Sequence, residues 1–241
     1  MLNRLHGFKY NRSYLPSFGV EPVSAKHARE PLIAQLYEAF LENGNAVAFV
    51  ACLSRHYNSG TLQRLAGHDQ REVRRAAVFA LGQVAEYDAN HTLGRAMLDE
   101  DRTVRTLAEA AIRKVWLRIG TPRQRRRLVL ISRLNAARQY REAAQHAQAL
   151  LEEAPHLAEA WNLRATALFH QEHYPEAIRD CHEALEINPY HFLAATTMGH
   201  AYLELDSYVS ALECFRRALR LNPDLEGVRM QVVRLARLVE E

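Results

Sequence analysis

The sequence predicts an all-α chain, an α-solenoid of stacked helical pairs. Three observations predict it. Like residues recur every 34 positions in the C-terminal half and every 31 in the front half. The third is the scarcity of chain breakers: 10 glycines and 8 prolines in 241 residues favour long helices over strands joined by many turns.

The 34-residue spacing comes first. Tyr140, Tyr174 and Tyr208 stand 34 apart, as do Ala143, Ala177 and Ala211, and Pro155, Pro189 and Pro223. Ala184 and Leu185 recur as Ala218 and Leu219, and the Asn-Pro pair at 188–189 recurs at 222–223. Each period reads as two helices. In the second, Trp161, Ala165 and Leu168 mark one face of the first helix, and small Ala165 admits the second helix closely. Tyr174 fills the corner, Ala177 sits at the closest crossing, Ala184, Leu185 and Ile187 face the next unit, and Pro189 stops the helix. The third period repeats this with Gly199, Tyr202, Tyr208, Ala211, Phe215, Ala218, Leu221 and Pro223.

This pattern resembles the tetratricopeptide repeat (TPR). A first unit, about 124–157, keeps Tyr140, Ala143 and Pro155 but carries Ile131 and Leu150 where the later units have small residues. Divergence is expected of a terminal repeat, which packs against something other than its own copy. Residues 225–241 read as a capping amphipathic helix with Val228, Val232, Leu235 and Val239 on its apolar side and Arg229, Arg234 and Arg237 mostly away from it.

In the front half, Leu62 matches Leu93, Val73-Arg74 matches Val104-Arg105, Ala77 matches Ala108, Leu81 matches Ile112 and Val84 matches Val115. Each unit reads as a short helix, an Asp-rich turn and a longer helix opening with Val-Arg. Asp69 with Glu72 predicts a capping box at one start, and Asp99 or Asp101 a cap at the next. The run resembles the short HEAT-like repeat of the kind also found in bilin-lyase-type proteins; nothing here marks a chromophore site. A partial copy fits 31–59, with Pro31 starting a helix that carries Leu32, Leu36, Tyr37 and Phe40 on one face, and Gly44 ending it. Residues 1–30 show no period and read as an arm bearing Phe8, Tyr10, Tyr14 and Phe18. The expected organisation is 1–30 arm, 31–120 HEAT-like helical pairs, and 121–241 three TPR-like helical hairpins with a capping helix.

Charge is uneven. Residues 1–109 carry a net +1, 110–141 a net +10 with no acidic residue, and 142–241 a net −8, within a total of +3. Three cysteines, Cys52, Cys181 and Cys214, form no CxxC pair and predict packed thiols in a reducing compartment. No stretch is long and apolar enough for a membrane span, and the first residues lack the apolar core of a signal peptide, which predicts a cytoplasmic protein without membrane contact.

The chemistry of catalysis is missing from the sequence. There is no Walker-type loop, GxSxG, HExxH or GxGxxG. His170 and His173 are three apart, but no Cys or carboxylate pair completes a metal set. The expectation is no enzyme, no metal and no cofactor. Because a solenoid offers a long concave face and no closed pocket, it suits recognition of an extended partner.

The TPR resemblance implies that first helices line the groove. It places Asn162, Thr166, Phe169 and His170 there, then Thr196, Thr197, His200, Leu203 and Glu204, with Gln231 and Arg234 reaching in from the cap. The clamp by which some relatives grip chaperone C-terminal carboxylates is not expected. Leu128, Ser132, Leu163, Leu193 and Thr197 replace its basic and amide residues. The sequence therefore reads as a protein-binding adaptor or scaffold. The alternative is nucleic-acid binding through a basic collar of Arg113, Lys114, Arg118, Arg123, Arg125, Arg126 and Arg127, with Trp116 nearby to stack on bases. Gly120-Thr121-Pro122, inside the collar, reads as a hinge between the arrays.

Overall fold

Residues 31–240 are described by the computed structural model, and among them lie thirteen α-helices and no strand. The front array runs through α1 (Leu32–Asn43), α2 (Ala46–His56), α3 (Ser59–Leu65), α4 (Arg71–Val84), a 3-10 turn (Tyr87–Ala89), α5 (Asn90–Ala96) and α6 (Arg102–Leu117). The second array follows as α7 (Pro122–Ala136), α8 (Tyr140–Glu153), α9 (Ala158–Phe169), α10 (Tyr174–Ile187), α11 (Phe192–Glu204), α12 (Tyr208–Leu221) and α13 (Glu226–Glu240). The aromatic arm read in residues 1–30 lies outside the described residues.

Helix starts follow local chemistry. Asp101 caps α6 by accepting from the Val104 N–H, and Thr121 and Gln124 form a capping box at α7 with Pro122 at its first position. Asp69 does not cap α4. That helix begins after Gln70 without a side-chain cap, and the Asp69 carbonyl is instead bonded by the Arg74 guanidinium at 2.9 Å. Gly44 closes α1 in the left-handed conformation, φ 65°, and returns its N–H to the Phe40 carbonyl.

The hairpin turns repeat at the same 34-residue interval as the tyrosines. Arg138, Glu172 and Asp206 are the non-glycine residues with positive φ among those described, at 60°, 64° and 55°. The N–H after each returns to the first helix: Gln139 to Leu134, His173 to Leu168, and Ser207 to Tyr202, at 2.9, 3.0 and 2.9 Å. The α7–α8 hairpin therefore turns as the next two do, although its packing residues diverge.

Small residues set the crossings. Ala177 and Ala211 are fully buried, and a Cβ on Gly199 would lie 2.6 Å from the Phe215 ring. Ala177→Leu or Ala211→Leu should overpack these crossings and cost about 1–3 kcal/mol, read by chemical denaturation.

The two arrays are not joined by a free hinge. Residues 31–241 cluster as one unit, and the front core includes Phe192 of α11 with Tyr190, Leu193, Leu221 and Leu225 packed against it. Helix α6 lies across the loops that precede α11 and α13. Its Trp116 is 2% exposed, stacks on His191 with centroids 4.1 Å apart, and donates from Nε1 to Asn90 Oδ1 at 2.8 Å. Asn90 in turn donates to Asn188 Oδ1 at 2.9 Å, and Asn222 donates to Glu109 at 3.2 Å. The two asparagines of the Asn-Pro pairs, which read only as helix stops, are thus seam residues. Tyr190 lies so close over Gly94 that a Cβ there would meet its ring at 2.3 Å.

The seam also continues the arginine ladder of the front array. Arg74 bonds the carbonyls of His68 and Asp69 and grips Asp99 with two bonds of 2.8 and 2.9 Å. Its repeat mate Arg105 bonds the carbonyls of Asp99 and Glu100 in the same way, but its carboxylate partner is Asp224, at 2.9 and 3.0 Å. A loop of the second array supplies the aspartate that a further front-array repeat would have supplied. Arg105 holds the Asp224 carboxyl below its usual range. A depressed carboxylate stabilises the fold above its unfolded pKa of about 4 and loses that contribution as pH falls through the folded value. Asp224→Asn should therefore melt below wild type at pH 7, and the gap should close as pH drops below about 4.

Candidate partner-binding groove

The seam decides how much of the groove is open. It closes the N-terminal ends of the first helices. Glu159, near the start of α9, is buried, as is His191 just before α11. His191 Nδ1 accepts from the Ala194 N–H at 3.2 Å, so Nε2 carries the proton that is donated to Glu159 at 2.9 Å. Trp116 covers this pair from the front array.

Asn162, expected on the groove wall, is 3% exposed, and its Oδ1 has no hydrogen-bond partner among the described residues. It belongs to the interior beneath the groove. Thr166 and Thr196 are half-buried, and their hydroxyls donate to the Asn162 and Phe192 carbonyls of their own helices. Thr197 is half-buried, with no side-chain bond of that kind.

The C-terminal ends of the first helices are open. His170, exposed at the end of α9, stacks on Tyr140 of the preceding unit with centroids 4.3 Å apart. Phe169 bridges to Tyr174 at 5.6 Å and to His200 of α11 at 6.3 Å. His200 meets the Phe215 ring edge-on at 4.9 Å, and burial lowers its pKa, so it presents a neutral imidazole at pH 7. Exposed Glu204 is the 34-residue mate of His170 and faces the equivalent tyrosine: burial first, then the Glu204 and Glu172 carboxylates, raise the Tyr174 phenol. Tyr208, held up chiefly by its bond to Asp206, feels the opposing charge of Arg234 on α13. Tyr140 is thus stacked by a side chain of the next first helix, while Tyr174 and Tyr208 feel the charges of Glu204 on α11 and Arg234 on α13. The sequence marks these tyrosines by their period, but as corner fillers only.

The basic collar is divided: three of its seven members have close partners within the fold, and four are exposed. Arg118 donates to the Gln83 and Gly82 carbonyls at the end of α4, and burial lowers its pKa. Arg125 bonds Gly120 and Glu86, and Arg127 and Arg123 face Glu153 at 2.7 and 3.8 Å. Arg113 lies 3.8 Å from Glu109, which leaves Lys114 and Arg126 exposed without an ion pair to any described residue. Trp116, expected to stack on bases, is buried in the seam. No group of three His, Cys, Asp or Glu with metal-binding geometry occurs among the described residues, and no described helix is long and apolar enough to cross a membrane. Cys181 is buried, and burial raises its thiol; Cys214 is pushed up to about 11, again by burial first.

A HEAT-repeat family model matches residues 58–150, and tetratricopeptide-repeat models match 158–191 and 192–225. The HEAT match runs through α7 and most of α8, the hairpin whose 34-residue pattern is weakest. Three solved structures are similar over part or most of the chain. The first TPR of Spaghetti (RPAP3) bound to an HSP90 peptide is 18% identical, with a TM-score of 0.48 over 51% of this chain and 98% of that one. The TPR2AB-domain complex with pHSP90 from yeast Sti1 is 16% identical, with a TM-score of 0.43 over 85% and 90%. YrrB, described as a TPR protein with an unusual peptide-binding site, is 20% identical, with a TM-score of 0.42 over 84% and 97%.

Proposed function

We propose, for a chain that joins HEAT repeats to tetratricopeptide repeats, that it is a non-catalytic adaptor holding a peptide segment or protein surface in the open half of its C-terminal groove. The observation that carries this reading is the run of ring contacts from Tyr140 through His170 and Phe169 to His200, with exposed Glu204 and Arg234 beyond it. Fixed aromatic side chains give contact area at little entropic cost, and the exposed polar groups beside them give register. The front array acts as a brace: it fills the other half of the groove and fixes the spacing of the first helices. The groove lacks the carboxylate-clamp residues, so the partner is read along its length rather than by a terminal carboxylate. The collar favours no second reading, because its aromatic is buried, Arg118 and Arg125 are bonded within the fold and Arg127 is ion-paired with Glu153.

Selection of a displayed random-peptide library on the intact chain tests the proposal. Enriched peptides should bind wild type and lose at least about tenfold in affinity to Phe169→Ala/His200→Ala, an effect of about 1.4 kcal/mol or more. They should bind Lys114→Gln/Arg126→Gln unchanged. Failure to enrich, or equal loss with the collar variant, would sink it.

A further inference from the structure

A second cleft, independent of the groove, lies between the second helices of successive units. Two such clefts are repeat mates. In the first, Arg164 grips Asp180 with bonds of 2.6 and 2.7 Å and also bonds Gln148, so the cleft supplies both cation and anion itself. In the second, an open cleft of about 530 Å³ between α10 and α12, the corresponding positions are Met198 and Cys214. Both are buried and neutral, with half-buried Tyr202 beside them.

Above this apolar floor stand Arg216, Arg217 and Arg220, within about one turn of α12. None makes a hydrogen bond or ion pair with another described residue. The one carboxylate on the cleft wall, Glu213, lies on the same helix and pairs with none of them within 4.0 Å. Ser210 adds a hydroxyl at the mouth, and His182 of α10 faces the cleft from the other wall. Three guanidiniums line one cleft with no ion pair among the described residues, and an anion with several acceptor oxygens can accept forked bonds from them. The apolar floor favours an anion carried on an organic side chain over a bare ion.

We propose that this cleft binds a phosphate monoester, the chemistry of a phosphorylated side chain on a partner. The phosphate is placed on Arg216, Arg217 and Arg220, and the carrying chain lies over Met198 and Cys214. It stands in the unit where the protein omits the carboxylate that Asp180 provides one repeat earlier.

Calorimetric titration of the full chain with N-acetyl-phosphoserine amide, N-acetyl-phosphotyrosine amide, inorganic phosphate and N-acetyl-glutamate amide tests this. At least one phosphorylated amide should bind saturably, and Arg216→Gln/Arg217→Gln/Arg220→Gln should weaken it at least tenfold, while Arg113→Gln/Lys114→Gln leaves it unchanged. Met198→Arg/Cys214→Asp reinstates the ion pair of the preceding unit and should also weaken it tenfold, with an unaltered helical circular dichroism signal. Inorganic phosphate binding as tightly as the amides would keep the phosphate site but make free phosphate the source. No saturable binding by any phosphate, unchanged affinity in both variants, or equal binding of the glutamate amide would overturn the proposal.

Discussion

Trp116→Ala should be the most damaging single change in the chain, with a loss of about 3–5 kcal/mol in chemical denaturation. Trp116 is 2% exposed and belongs to the front core at the point where that core meets Phe192 of the second array. Its removal opens a cavity against His191 and Phe192, ring neighbours at 4.1 and 5.6 Å. It also leaves Asn90 Oδ1 without its donor at a buried position, which adds to the cost. Because the seam holds the two arrays as one unit, the variant should unfold in two transitions where wild type shows one. A single transition at wild-type midpoint would mean that the arrays are held by something other than this seam.

Arg74→Ala should follow closely, also at about 3–5 kcal/mol, the range for removing one partner of a buried ion pair. The Arg74 side chain is 8% exposed and that of Asp99 is 13%. Losing the guanidinium strands the Asp99 carboxylate and frees the carbonyls of His68 and Asp69, which it bonds at 3.0 and 2.9 Å. The exposed pair to Glu100, whose side chain is 86% exposed, contributes little, so Glu100→Gln should leave denaturation midpoints almost unchanged. Comparable losses from both changes would contradict the ladder as the support of the front array.

Most of the helical architecture is legible from the sequence, and the seam is not, for a physical reason. Helices and hairpins declare themselves through short-range periodicity: Ala177 and Ala211 mark crossings and Asp101 marks a start, although Gly120-Thr121-Pro122, read as a hinge, proves to be the capped start of α7. The seam joins residues such as Asn90 and Asn188, or Arg105 and Asp224, that stand 98 and 119 apart, where no local period reports on pairing. One signal was nonetheless present. Arg74 and Arg105 share a period of 31, but the residue 31 beyond Asp99 is Leu130, so Arg105 has no acid of its own array. An arginine whose repeat mate is paired and which itself lacks a local partner points to a partner contributed from elsewhere. Trp116 and Asn162 are also misplaced by local pattern. Both read as exposed positions of their helices; Trp116 is instead buried against His191 and Phe192 of the second array, and Asn162 is 3% exposed within its own array's interior.

The groove residues are legible in part. Phe169, His170, His200 and Glu204 lie on the open stretch, while the pairings between units, His170 on Tyr140 and Phe169 near His200, are side-chain contacts that no period announces.

Hydrogen–deuterium exchange of the full chain, with and without a peptide enriched by selection, tests the central claim most directly. Protection should appear at the C-terminal halves of α9 and α11 and along α13, with residues 113–127 unchanged. Protection confined to 113–127, or spread evenly over the front array, would contradict the groove as the working surface.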